Sequence, residues 1–193
     1  MPESGWFFAK NGAADAPGYN RRMGLDKKQL VDQLATRLRE SDEVARRAGA
    51  DAREAARSLQ TESEKKEDGR AAIEFGSLAT GQTARARKVQ EELQQLAAFW
   101  NRGVPRFAST SAVALGAVVD VAVDGERGPE ERTFIVLPVG AGTELTGPGG
   151  DGFLSVITPA SPVGRALLGR RAGDSVDVTI NGETREWTLV EVS

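Results

Sequence analysis

The chain contains neither histidine nor cysteine in its 193 residues. The commonest general base, the commonest metal ligand and the thiolate nucleophile are therefore all missing. Any chemistry must rest on carboxylates, lysines or serines. The densest run of such groups is Thr61–Gly69, which holds Glu62, Glu64, Glu67 and Asp68 with no apolar residue between them. A charge run of this kind is most often a solvated turn; its alternative is a carboxylate site for a cation. Arg85, Arg87 and Lys88 form the tightest basic cluster among the 25 lysines and arginines, which are otherwise dispersed. The net charge of −3 argues against sequence-independent nucleic-acid binding, which needs many cations on one face. A protein partner fits better, with RNA or DNA met only indirectly.

The elements that must position these groups divide into two patterns. From Asp26 to about Gln60 the apolar residues recur at helical spacing: Leu30, Leu34 and Leu38, then Val44, Ala45, Ala48, Ala52, Ala55, Ala56 and Leu59. Asp26 is the candidate N-cap. Gly49 weakens the helix by about 1 kcal/mol relative to alanine. After the polar turn, Arg70–Trp100 reads as a second helix with Ile73, Leu78, Val89, Leu93, Leu96 and Trp100 on its apolar face. Two helices of similar length joined by a short polar turn pack antiparallel. At ~1.5 Å per residue they form a rod about 50 Å long. Phe99 and Trp100 pack at its base.

From residue 112 the period changes to two. Val113–Val123, Thr133–Val139 and Phe153–Thr158 read as strands, and the glycine-rich stretch 140–150 as a flexible loop. Ser161-Pro162 opens a short helix that runs to Leu168 and ends at Gly169. Ser175–Ile180 and Thr184–Val192 form a hairpin around Asn181-Gly182. Phe134 and Trp187 belong to the core of this module. The expected architecture is α+β: a disordered tail over 1–24, an antiparallel coiled-coil hairpin over 25–100, a linker over 101–111 and a β domain with one short helix over 112–193. Met23 is a second candidate start, which would place residues 1–22 outside the protein. No apolar run approaches the ~20 residues of a membrane span, and no signal peptide is evident. A cytoplasmic monomer, without membrane contact, is the expectation.

The C-terminal residues carry a resemblance. Ile157-Thr-Pro-Ala-Ser-Pro-Val-Gly-Arg-Ala-Leu-Leu-Gly169, then Gly173-Asp-Ser-Val-Asp-Val178, then Glu186-Trp-Thr-Leu-Val-Glu-Val192 is similar to the FKBP-like domain of Gre-type bacterial transcription elongation factors. Ala72-Ile-Glu-Phe75 stands where that family often has A-E-Y. The resemblance implies a regulator that is not itself an enzyme. Its β domain would dock on RNA polymerase through Ser161, Pro162 and Arg165, and its hairpin would enter the secondary channel. Ala160 stands where the family often has Asp. In the family, two tip acids spaced D-x-x-E help hold a magnesium ion shared with the polymerase active site. Aligned on Glu74-Phe75, the first acid falls on Asp68 and the second on Ala71; Glu67 is the neighbouring acid. Two mechanisms stay open: stimulation of transcript cleavage using Asp68 and Glu67, or occupation of the channel without a usable Mg²⁺ ligand. The resemblance also admits an interaction module like the nucleoside-diphosphate kinase regulators, whose hairpin is shorter. A prolyl isomerase is the remoter alternative, since the domain holds only three aromatic residues: Phe134, Phe153 and Trp187.

Overall fold

The computed structural model describes residues 27–62, 66–124, 128, 130–147 and 152–193, with the side chains of 60–62 and 66–68 outside the description. The expected tail over 1–24 and the Asp26 cap lie outside the described residues.

Helix α1 spans Lys27–Glu62 and α2 spans Lys66–Asn101. Both helices therefore run into the segment expected to be a turn, and residues 63–65 between them lie outside the described residues. Thr61, Glu62 and Lys66–Gly69 are helical because Glu and Lys are good helix formers. Glu67 and Asp68 fall in the first turn of α2.

The seam between the helices follows a strict seven-residue repeat. Val31, Leu38, Ala45 and Ala52 are buried on α1, as are Ala72, Ala79 and Ala86 on α2, the spacing of a coiled coil. Small residues let the helices approach closely: a Cβ added at Gly49 would lie 3.4 Å from Gln82 Cβ. Gly49 is thus a site of close approach, at the helix-propensity cost expected for glycine. The alanine seam corrects part of the expected apolar face. Ile73 and Leu78 are exposed at 72% and 49%, and Val44 at 65%. Each lies one residue from a buried alanine at 72, 79 or 45, and the register that buries the alanine turns its larger neighbour outward.

The seam carries one buried charge. Asp42 accepts a hydrogen bond from Gln90 Nε2 at 2.5 Å and an ion pair from Arg46 Nε at 2.9 Å. Its second oxygen, Oδ1, is buried without a partner.

The C-terminal module is a six-stranded mixed sheet in the order β3-β4-β2-β1-β6-β5. The strands are β1 Val118–Val123, β2 Glu130–Val136, β3 Glu144–Thr146, β4 Phe153–Ile157, β5 Ser175–Ile180 and β6 Glu183–Val192, with α3, Pro162–Leu167, between β4 and β5. Two sequence expectations change here. Residues 113–117 are not strand: Val113 N–H instead donates to Arg170 O and Gly169 N–H donates to Val113 O, which ties this stretch to the end of α3. The glycine-rich stretch contains the strand β3, paired antiparallel with β4. The Asn181-Gly182 turn forms as expected, with both residues at positive φ, 53° and 85°.

Each sheet face carries a buried cluster. One carries Val119, Val121, Phe134, Val136, Trp187 and Leu189 and is covered in part by Val163 and Leu167 of α3; Phe134 and Trp187 stack with centroids 5.5 Å apart. The other carries Val118, Ile135, Leu145, Leu154 and Val156, packed with Leu30, Leu34, Leu38, Val89, Leu96 and Phe99 of the hairpin base.

Candidate functional site

The short helix α3 is held by its first residues. Ser161 adopts φ −71°, ψ 153° as N-cap. Its Oγ accepts the Gly164 N–H at 3.0 Å and the Thr158 N–H at 3.3 Å, and donates to Thr158 O at 2.8 Å. All the hydrogen-bonding capacity that this serine shows serves its own loop, so its contribution to any surface is to shape it. Pro162 opens the helix with the φ that proline already prefers and is exposed. At Gly164 a Cβ would stand 1.9 Å from Thr158 O, so no other residue fits the turn as built. Arg165 is exposed, and its Nη1 donates to Ala160 O at 2.9 Å. Ser161, Pro162 and Arg165 are thus brought together on one rigid corner. Pro162 and Arg165 present its outer surface.

The base of the hairpin is fastened to the sheet at three points, none of which the sequence reading located. Gln33 pairs its carboxamide with both backbone groups of Thr146, at 3.0 Å each way. Gly140, at φ 83°, lies against Leu34, whose Cδ1 would be 2.7 Å from an added Cβ. Lys27 Nζ donates to Ser193 O at 3.0 Å and lies 4.7 Å from the centroid of Phe107. Burial pushes the Lys27 amine below its ordinary value. The periodicity around Leu30 and Leu34 announced a packed helix face, but no local pattern marks Gln33 as the partner of a short edge strand.

Beyond Leu38 the hairpin leaves the cluster it shares with the sheet. From Leu38 to Glu62, at ~1.5 Å per residue, α1 travels about 36 Å farther. Glu67 and Asp68 sit at that far end, in the first turn of α2, with their side chains outside the described residues. The structure therefore separates the expected site residues into two groups: a corner on the β module and a tip at the end of the rod. Among the described residues no group of three acidic side chains is placed to hold a metal ion.

The family model described as "Transcription elongation factor, GreA/GreB, C-term" matches residues 108–193. The β module, with the residues just before it, is thus similar to the C-terminal domain of that family. The chain is 37% identical over 111 residues to transcription elongation factor GreA of Mycobacteroides abscessus, covering 56% of this chain and 60% of that protein. It is 35% identical over 111 residues to GreA of Mycobacterium tuberculosis, with the same coverage. The aligned region thus spans 60% of the length of these relatives. Among solved structures, transcription factor Gfh1 aligns at 23% identity and TM-score 0.34, covering 86% of this chain and 94% of that one.

Proposed function

We propose that this chain binds bacterial RNA polymerase, docking through the corner made by Ser161, Pro162 and Arg165 and passing its hairpin down the secondary channel to act on the active centre. The observation that carries this reading is the fastened base. A rod that held only a flexible joint with its anchor would have no defined direction. Here Gln33, Leu34 and Lys27 tie α1 to the sheet, so the tip has a fixed position relative to the docking corner. The relatives of the β module are named transcription elongation factors.

At the tip the reading favours occupation of the channel over cleavage. Mg²⁺ keeps several waters and is anchored by one or two carboxylates beside existing ligands. Asp68 supplies one such group and Glu67 is its neighbour, while Ala71 stands at the second family position and Arg70 adds a charge that opposes a cation. That donor set fits a shared ion poorly. The factor then needs no cofactor of its own and is not itself an enzyme; it acts by filling space near the polymerase active centre. A prolyl isomerase gains nothing from the structure: Phe134 and Trp187 are stacked in the core, and Phe153 stands exposed at 74% on β4.

Two measurements test this reading. Core polymerase retained on the immobilised full chain supports docking, and a failure to bind at low salt ends it. Backtracked elongation complexes then separate the mechanisms. Channel occupation predicts no added cleavage with either the native chain or Asp68→Ala; cleavage that is stimulated by the native chain and lost in Asp68→Ala would establish a catalytic tip.

A further inference from the structure

The hairpin is built unevenly along its length. At its base the buried residues are large: Leu30, Val31, Leu34 and Leu38 on α1, with Val89, Leu96 and Phe99 on α2. Farther out a layer of close contact joins the helices. There a Cβ added at Gly49 would lie 3.4 Å from Gln82 Cβ, and Arg53 Nη2 donates to Thr83 Oγ1. Beyond this layer the buried residues, among those described, are all alanines: Ala56, Ala72 and Ala79. Each buries far less apolar surface than a leucine, so packing stabilises the outer stretch only weakly. The larger apolar side chains of α2 in this stretch, Ile73, Phe75 and Leu78, are exposed and add little to the seam.

The backbone of the same stretch also opposes a firm helix. Gly69, Gly76 and Gly81 all lie in the outer half of α2, and a Cβ added at any of them would meet nothing within 4 Å. No close approach requires these glycines, in contrast to Gly49. Each still weakens the helix relative to alanine. Thr80 Oγ1 and Thr83 Oγ1 donate to carbonyls four residues back, Gly76 O at 2.9 Å and Ala79 O at 2.7 Å, a bond that bends and slightly destabilises a helix. Weak packing and weak helix propensity thus coincide, and such a region opens locally at a lower cost than global unfolding. We propose that the outer hairpin, residues 54–62 of α1 with 69–81 of α2, opens and recloses as a unit of its own while the base stays shut. Gly76 and Gly81 set how often it does so. The fastened base aims the rod, and its outer ~14 Å adapts to what it meets. That use rests on the proposed entry into a polymerase channel, whereas the opening itself is a property of the free chain.

Amide hydrogen exchange on the free full chain tests the opening without polymerase, so its outcome is separate from that of docking. In the native chain, amides from Ala72 to Ala79 exchange at least about tenfold faster than those from Leu93 to Phe99. Gly76→Ala and Gly81→Ala each place a methyl group in open space, so neither disturbs the seam. They slow the outer amides about fivefold each and about thirtyfold together, while the amides from Leu93 to Phe99 keep their native rates. Outer and base amides that exchange at one rate in the native chain, or that slow together in the double variant, mean that the hairpin opens only as a whole and overturn the proposal. Outer rates unchanged by both alanines overturn it as well, because the glycines then do not control the opening.

Discussion

Gln33 and Thr146 form a two-way hydrogen-bonded pair that joins the rod to the edge of the sheet: Nε2 donates to the Thr146 carbonyl and Oε1 accepts the Thr146 N–H, each at 3.0 Å. The side chain substitutes for a neighbouring strand along β3 and occupies backbone groups that would otherwise face solvent or another chain. Gln33→Ala breaks both bonds and lowers stability by about 1–3 kcal/mol, read as a shift in the denaturant midpoint. The same variant loosens the hairpin, so amide exchange in the first turns of α1 rises while exchange near Ala52 and Ala79 does not.

The corner at α3 is set by backbone more than by exposed chemistry. Gly164→Ala forces a methyl group onto the Thr158 carbonyl, 1.9 Å from the ideal Cβ position, and the loop must move. Expected are a loss of stability of about 3 kcal/mol and loss of polymerase retention, with hairpin helicity by circular dichroism unchanged. Ser161→Ala removes only the cap and costs about 1 kcal/mol. Arg165→Ala weakens retention with little change in the thermal midpoint. If Arg165→Ala binds polymerase as the native chain does, the docking role of this corner is wrong.

In the coiled-coil seam, Asp42 is buried with one oxygen bonded and one without a partner. Gln90→Leu leaves Arg46 as the partner of the carboxylate and removes its bond across the seam, which destabilises by about 1–3 kcal/mol. The double replacement Asp42→Leu/Gln90→Leu recovers most of that loss or exceeds the native stability. Thermal denaturation of the two variants side by side checks the sign.

Lys27 gives a pH-dependent term. Its amine is held below the ordinary value of 10.5 by burial, so the unfolded chain binds its proton more tightly than the folded one. Folded stability from this group is therefore lower while the amine is charged in both states, and it rises as pH climbs through the window beneath 10.5. The difference in stability between the native chain and Lys27→Met shifts in favour of the native chain across the alkaline range. A difference that is flat or falls with rising pH contradicts the burial of a charged amine.

Much of this fold is legible in residue spacing. The long rod follows from Leu30, Leu34 and Leu38, the α3 start from Ser161-Pro162, and the closing hairpin from Asn181-Gly182, because each is a local preference that tertiary packing reinforces. The departures come where packing overrode the local signal. Ile73 and Leu78 read as core by size, yet the seven-residue alanine repeat at 72, 79 and 86 sets the register and turns them to solvent. Residues 61–69 read as a turn by polarity, although Glu and Lys extend helices well. The strand β3 hid in a glycine-rich stretch because three residues carry too little alternation to detect. The proposed docking role of this corner rests on resemblance alone, since Ser161 and Pro162 are ordinary helix-start residues on physical grounds.

The most direct test of the account is where the tip of the rod and the corner at α3 lie on polymerase. With no native cysteine to interfere, a photo-cross-linker attached through Asp68→Cys or through Arg165→Cys can be activated in complexes with core polymerase and the adducts mapped. The account predicts that position 68 joins to segments around the active centre and position 165 to the outer mouth of the secondary channel. Adducts from both positions on the outer surface alone, with none near the active centre, would contradict it.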